Sequence, residues 1–162
     1  MMKKTFAILA MTMLGFSSTT AFAEEMKWNS QPGMASLNYL AYSGVDSSTN
    51  VEVAFACNDG GKKTYFIVHQ YESDVKQLDA KVGDKVEVTL QIGDVKTALQ
   101  TEATDEDDNA VRLVAPFSFE SPIYKALADD KSLVVSHSGK TETYPLKGIT
   151  EAMKEFKDDC AD

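Results

Sequence analysis

Alternation of apolar and polar residues constrains this chain more than any other feature of its sequence. In several short runs every second residue is apolar, and the cleanest run contains Val86, Val88, Leu90 and Ile92. A period of two residues is typical of a β-strand that buries one face. Residues that favour turns separate these runs, so the sequence predicts a mostly β, antiparallel fold.

The pattern predicts about eight strands. They cover residues 35–41, 51–57, 64–69, 86–92, 95–103, 111–119, 133–138 and 141–146. Residues 24–33 are expected to form an irregular lead-in, and segment 95–103 is expected to be an edge strand because it is less apolar. The run at 65–68 is apolar without interruption, which predicts a strand buried on both faces.

Turn and cap signals complete the prediction. Residues 58–61 form the strongest hairpin signal, and Ser121 followed by Pro122 predicts the N-cap and first position of a short helix. Because helices are confined to two short segments, we expect an antiparallel β-sandwich or flattened barrel with a short C-terminal helix on one side.

The closing stretch, residues 133–160, combines a hairpin with that last helix. Gly139 supplies the positive φ of a tight turn, and Pro145 is expected at a strand end or on a sheet edge because it lacks an N–H. Thr150 is the predicted N-cap of the helix. Apolar residues then recur every four positions through Phe156 to Cys160, which predicts a buried stripe.

The first 23 residues have the order of a secretory signal peptide. Lys3 and Lys4 precede an apolar run, and residues 21–23 read Ala-Phe-Ala. The apolar run is only about a dozen residues long, which is shorter than the ~20 needed to span a bilayer. We therefore predict cleavage after Ala23, a single exported β-rich domain over 24–162, a periplasmic or secreted location, and no stable membrane insertion afterwards.

The charge balance restricts the class of partner. The chain has 16 Lys and Arg residues against 25 Asp and Glu residues, for a net charge of −9, and Arg112 is its only arginine. Such a surface disfavours nucleic acid and anionic membranes. The expected partner is another envelope or extracellular protein, and a basic one suits the charge.

Two cysteines, Cys57 and Cys160, permit one intramolecular pairing. An exported chain meets an oxidising compartment, so we predict a disulfide between an early strand and the terminal helix. A redox role is the alternative, but the C-x-x-C spacing typical of redox pairs is absent.

The acidic segment 104–109 is the best candidate for a cation site. Its alternate oxygen ligands suit calcium, but Ala110 stands where an EF-hand loop has glycine, and Pro116 where it has glutamate. A solvated hairpin turn is therefore expected, and a weak cation site is the alternative.

Catalytic patterns are also weak. His69 and His137 are far apart in sequence and belong to no metal-ligand motif, and a zinc site pairing them with a carboxylate is the alternative. Ser136 and His137 have suitable residue types for nucleophilic catalysis, but adjacent strand residues point to opposite faces. We expect no enzyme activity, no metal and no cofactor.

Recognition at the surface is the remaining option. The chain has six tyrosines, some of which are expected on the surface, although strand packing explains most of them. The candidate binding loop consists of Ser138, Gly139 and Lys140, together with Tyr144 on the following strand.

Three segments near the C-terminus resemble the C-terminal part of exported bacterial proteins related to invasion-associated locus B. They are Ile-Tyr-Lys-Ala-Leu at 123–127, Lys-Ser-Leu-Val-Val at 131–135 and Tyr-Pro-Leu-Lys-Gly-Ile at 144–149, followed by Ala152 and Phe156. The resemblance covers residues 123–156 and implies an exported β-rich domain without established catalysis.

A second resemblance involves residues 55–60, Phe-Ala-Cys-Asn-Asp-Gly, which are similar to the strand-Cys-turn-strand opening of periplasmic lysozyme inhibitors of the membrane-bound C-type-inhibitor kind. Those proteins place a Ser-Gly loop and a nearby tyrosine in the lysozyme cleft, which implies a role for Ser138, Gly139 and Tyr144, although the glycine-to-tyrosine spacing is longer here. We expect a non-enzymatic β protein that binds or supports an envelope component; a lysozyme inhibitor is the alternative and a hydrolase the third reading.

Overall fold

Nine strands form one antiparallel sheet in the computed structural model, which describes residues 26–33, 36–44, 51–70, 80–106, 110–129 and 131–161. The predicted signal peptide lies outside these residues. The strands are β1 (Met26–Pro32), β2 (Leu37–Gly44), β3 (Val53–Asn58), β4 (Thr64–Gln70), β5 (Lys85–Ile92), β6 (Val95–Glu106), β7 (Ala110–Pro116), β8 (Ser132–His137) and β9 (Lys140–Pro145). The mostly β, antiparallel prediction is confirmed.

The strand order in the sheet is β1-β2-β3-β4-β7-β6-β5-β8-β9, so β1 and β9 are its two edges. Among the described residues no ladder joins these edges, so the described sheet is not closed. Side chains nevertheless bring them together: Trp28 Nε1 donates a hydrogen bond of 2.8 Å to the carbonyl of Pro145, and the rings of Tyr42 and Tyr144 lie 5.3 Å apart. The sheet therefore curls until its edges meet through side chains.

Two sequence-based expectations about strands were wrong. Residues 26–32 are not an irregular lead-in but strand β1, which pairs with β2 from Met26 opposite Gly44 to Pro32 opposite Asn38. This strand lacks apolar alternation because an edge strand buries little more than Trp28, which is 4% exposed. Segment 95–103 is not an edge, since β6 lies between β5 and β7. Its apolarity is low because one of its buried inward positions is Thr101, whose hydroxyl donates a hydrogen bond to the carbonyl of Val86.

The hairpin signal at 58–61 and the cap signal at Ser121 were read correctly. β3 and β4 pair across a 3₁₀ turn at Asp59–Gly61, where Gly60 has a φ of +73°. The Ser121 hydroxyl accepts a hydrogen bond of 3.3 Å from the Tyr124 N–H, and Pro122 opens helix α1 (Pro122–Ala126). A 3₁₀ turn, Leu127–Asp129, follows α1.

Aromatic rings fill the interior of the curled sheet. Phe55 of β3 is their centre: its ring centroid lies 5.2 Å from Phe117, 5.3 Å from Phe66, 5.6 Å from Tyr124 and 6.5 Å from Trp28. Offset and edge-on contacts of this kind add to the stabilisation from burial. The core therefore joins β1, β3, β4 and α1 in one cluster.

The opposite face of β2 to β4 is buried as well. Ile67 is 2% exposed and packs with Tyr39 and Ala54 in a second cluster, whereas Phe66 and Val68 belong to the main core. The expectation that the 65–68 run is covered on both faces is confirmed.

Helix α2 (Ile149–Ala161) lies against β1 and β2. Its buried stripe consists of Ile149, Ala152, Phe156 and Cys160, as the four-residue spacing predicted. Thr150 is not the N-cap, because the helix begins at Ile149, whose N–H is already satisfied by the carbonyl of Leu146 at 3.0 Å.

The predicted disulfide is present: Cys57 of β3 bonds Cys160 of α2, with their Cα atoms 5.9 Å apart. Polar contacts reinforce the attachment, since Ser30 Oγ donates to Asp159 Oδ2 at 2.8 Å and Asn38 Nδ2 donates to the Asp159 carbonyl at 2.9 Å. The end of α2 is thus fixed to β1, β2 and β3.

Candidate binding hairpin at the sheet edge

The turn between β8 and β9 is tight and exposed. Ser138 and Gly139 have φ values of +46° and +77°, and His137 pairs with Lys140 on either side of them. Two central residues with positive φ are characteristic of the type I′ turn, whose twist matches that of the flanking strands. The side chain of Ser138 is exposed at the tip of the hairpin.

Tyr144 lies apart from this turn. It pairs with Leu133 on β8, is 3% exposed, and packs against Tyr42. Its hydroxyl donates a hydrogen bond of 2.7 Å to Glu142 Oε2. Burial raises the pKa of Tyr144 well above its ordinary value, and the nearby carboxylates of Glu142 and Glu52 raise it further. The structure therefore brings Ser138, Gly139 and Lys140 together but places Tyr144 in the core.

The ladder of the hairpin decides which main-chain groups face outward. A two-residue turn closes on a hydrogen-bonded pair, here His137 and Lys140, and such pairs alternate with non-hydrogen-bonded pairs along the ladder. Thr141 and Thr143 therefore lie in non-hydrogen-bonded pairs, and their N–H and C=O groups point away from β8. Pro145 has the same phase, and its carbonyl faces outward to Trp28.

Thr141 and Thr143 lie on the outer side of this edge strand. Their side chains are exposed, and within the part of the chain that the structure describes no other element hydrogen-bonds the main chain of Thr141 or Thr143. β1, by contrast, lies against α2, and its last residue, Pro32, has no N–H to offer. Pro145 confirms the prediction that it stands at a strand end and on a sheet edge.

Sequence reasoning missed Thr141 and Thr143 as candidate site residues. Their importance depends on β9 being last in a sheet order in which β8 pairs with β5, across more than forty positions of the chain. The one signal in the sequence was Pro145, because proline is confined to sheet edges and strand ends.

The two histidines lie on different strands of the sheet. His69 and His137 are both buried, on β4 and β8. Ser136 lies on the other face of β8 from His137, where its hydroxyl is 3.0 Å from that of Thr141. Among the described residues, no group of three or more His, Cys, Asp or Glu side chains is placed to hold a metal ion.

Only part of the acidic turn lies within the described residues. β6 and β7 pair on either side of it, from Glu102 opposite Val114 to Glu106 opposite Ala110, as expected for a hairpin. Asp107, Asp108 and Asn109 lie outside the described residues, so the cation-site alternative stays a prediction.

The tyrosines serve packing. Tyr39, Tyr124 and Tyr144 are buried, and Tyr42 and Tyr65 are half-buried. Burial raises the pKa of Tyr124 well above its ordinary value. These five tyrosines are therefore parts of the core or its margin, and the expectation of surface tyrosines finds no example among them.

A shallow groove of about 280 Å³ lies between the Leu127–Asp129 turn and α2. Five residues line it: Ala128, Thr150, Met153, Lys154 and Lys157. They contribute mainly the carbon atoms of their side chains to its surface. The ionisable groups of this lining are the two lysines.

Comparisons of the chain with protein-family models, with curated proteins and with solved structures found no match. No helix in the described part of the chain has the length and hydropathy to cross a membrane. The disulfide indicates an oxidising compartment outside the cytoplasm.

Proposed function

We propose that this protein is a non-enzymatic periplasmic protein, or a secreted one, that binds or supports another protein of the envelope through the β8–β9 hairpin. The observation that carries this proposal is the tight, exposed Ser138–Gly139 turn on a hairpin at the edge of the described sheet. A relation to exported bacterial proteins of the invasion-associated locus B kind, suggested by residues 123–156, belongs to the same proposal.

Three physical features support binding over catalysis. The turn is fixed by its backbone, so little conformational entropy is lost when a partner covers it. The disulfide and the helix contacts hold the rest of the sheet as a stable support. Enzyme sites are usually concave pockets in which polar groups converge, whereas the groove beside α2 is shallow, with Thr150 and two lysines as the polar side chains of its lining.

Site-specific photo-crosslinking in the exporting cell tests this proposal. A benzophenone amino acid replaces Ser138 in one variant and Asp94 in the control, since Asp94 is an exposed turn residue of the β5–β6 hairpin. The expected result is a discrete adduct with an envelope protein from position 138 and none from position 94. Equal adducts from both positions, or none from position 138 in a folded, exported chain, would refute the proposal.

Lysozyme inhibition is the second candidate, and the exposed Ser138–Gly139 turn favours it because an inhibitory loop has to protrude. The test is inhibition of a panel of lysozymes by the oxidised mature chain, with Ser138→Ala as the variant and Asp94→Ala as the control. At position 144 the variant is Tyr144→Phe and not Tyr144→Ala, because Tyr144 is a core residue and loss of its ring would disturb the fold. Inhibition that is weakened by the Ser138 change alone would establish this candidate, and no inhibition at micromolar protein would eliminate it.

A further inference from the structure

β9 offers a partner a row of main-chain hydrogen-bonding groups in addition to the turn. We propose that the partner adds an extended, basic segment to the sheet along β9, with main-chain hydrogen bonds to Thr141 and Thr143. This inference rests on the proposed function and specifies how the partner binds. Strand addition at a sheet edge takes its affinity from the backbone and its specificity from the side chains opposite.

The geometry permits addition at β9 and hinders it at β1. Thr141 and Thr143 each present one N–H and one C=O outward, so a strand in register gains up to four main-chain bonds. The end of β9 is closed by Pro145, whose carbonyl is already bonded to Trp28. At the other edge, Asp159 of α2 is hydrogen-bonded to Ser30 of β1. Natural proteins cover their edges in these ways to prevent unwanted pairing.

A second copy of this chain fits the edge poorly. The antiparallel register that pairs both threonines places Glu142 opposite Glu142 of the copy, and like charges directly opposite are destabilising. The register centred on Thr143 sets Thr141 against Pro145, which has no N–H. The register centred on Thr141 runs Thr143 into the Gly139 turn. In antiparallel pairing along β9, a foreign strand without a carboxylate opposite Glu142 therefore fits the edge better than a second copy does.

Charge determines which kind of strand can pair favourably with the β9 edge. Glu142 is a half-buried carboxylate between the two threonines, and Glu52 lies close enough to act on the same phenol, that of Tyr144. A Lys or Arg opposite Glu142 on the added strand would meet the carboxylate of Glu142. The net charge of −9 over the whole chain also attracts a basic segment at a distance.

The experiment uses the oxidised mature chain, labelled for NMR, and the peptide acetyl-Lys-Thr-Lys-Thr-Lys-Thr-Lys-amide. In the free chain, we expect the amides of Thr141 and Thr143 to exchange with solvent faster than those of Glu142 and Tyr144. The peptide should slow their exchange about tenfold, the effect of roughly one net hydrogen bond. The matched peptide with Glu in place of Lys should have no effect.

Two modifications identify the backbone contact. In the proposed register, the main-chain N–H groups of the peptide's threonines point toward β9 and those of its lysines point away. N-methylation of the threonines should therefore abolish protection of the Thr141 and Thr143 amides, whereas N-methylation of the lysines should preserve it. Thr143→Pro removes an outward N–H without removing a bond to β8, so the folded variant should bind about tenfold more weakly. Thr143→Val keeps the N–H and should bind as the parent does.

Three outcomes would overturn strand addition: protected Thr141 and Thr143 amides in the free chain, equal binding of the Glu peptide, or unchanged binding by Thr143→Pro. Each of them leaves the crosslink from position 138 as a separate result. A crosslink without peptide protection would retain the binding function and reject this mode, whereas loss of the crosslink would reject the function itself.

Discussion

Removal of the disulfide is the most informative perturbation of this fold. Cys57 lies at the end of β3 and is fully buried, and Cys160 lies near the end of α2. The double substitution Cys57→Ala with Cys160→Ala breaks the link while adding no polar group to the core. Its effect measures how far the covalent bond, as distinct from packing, holds α2 to the sheet.

The expected magnitude follows from the length of the closed loop. The two cysteines are 103 positions apart. In the chain-entropy account, closing a loop of this length lowers the entropy of the unfolded chain by an amount equivalent to about 4.7 kcal/mol at 25 °C. Single domains have total stabilities of about 5–15 kcal/mol, so the double variant should lose a large part of its unfolding free energy.

Urea unfolding monitored by Trp28 fluorescence and by far-ultraviolet circular dichroism measures this loss. Trp28 is the only tryptophan and packs on Phe55, so its fluorescence reports the core. We expect both signals to shift together, because Phe156 and its neighbours pack α2 into that same core. Addition of reductant should shift the parent chain equally and leave the double variant unchanged.

Two results would refute this reasoning. A loss below about 1 kcal/mol would show that loop closure contributes little, since the predicted value is several times larger. Helix loss without any change in Trp28 fluorescence would show that α2 unfolds locally and that the sheet does not depend on it.

Three further predictions concern the turn, the edge and pH. Gly139→Ala should destabilise the chain by about 1 kcal/mol because of its φ of +77°, whereas Ser138→Asn, which tolerates positive φ, should not; equal urea midpoints for the two variants would contradict this. Trp28→Phe keeps a ring but removes the hydrogen bond to the Pro145 carbonyl, so urea unfolding should show a loss of about 1 kcal/mol or more, and no loss would mean that this bond does not stabilise the meeting of the edges. Burial raises the pKa of Tyr124 and Tyr144 in the folded chain. Their contribution is therefore complete below pH 10, where unfolded tyrosine titrates, and stability should fall above it by about 1.4 kcal/mol per pH unit for each of them. Phenolate absorbance that rises near pH 10 for every tyrosine, with the fold intact, would contradict this.

The sequence was sufficient to predict the faces of the strands but not their neighbours. Alternation at 86–92 and the run at 65–68 correctly indicated which side chains are buried, because periodicity is a local property. Strand order is not local: β4 pairs with β7 and β5 with β8, so segments distant in the sequence become adjacent. The error over β6 has this origin, since its low apolarity suggested an edge while its neighbours place it inside the sheet.

The candidate site shows the same difference between local features, which could be predicted, and long-range contacts, which could not. The turn at Ser138 and Gly139 was recognisable because turn chemistry is local, but the burial of Tyr144 depends on Tyr42, a residue of β2 that approaches it only when the sheet curls. Strand β1 was not predicted, for a related reason. An edge strand pairs on one side and buries few side chains, so its sequence is under little pressure to alternate.

The two edges of the sheet therefore differ in how they are covered, and this asymmetry links the fold to the proposed function. The disulfide and the contacts of Asp159 fix α2 against β1 and β2, so one edge is packed against a helix by the same bond that stabilises the domain. At the other edge, Pro145 and Trp28 close only one end of β9. Within the described part of the chain, the edge is open over Thr141 and Thr143, beside a tight turn and a carboxylate that opposes antiparallel self-pairing. A domain needs such an edge in order to pair with a foreign strand while remaining apart from its own copies.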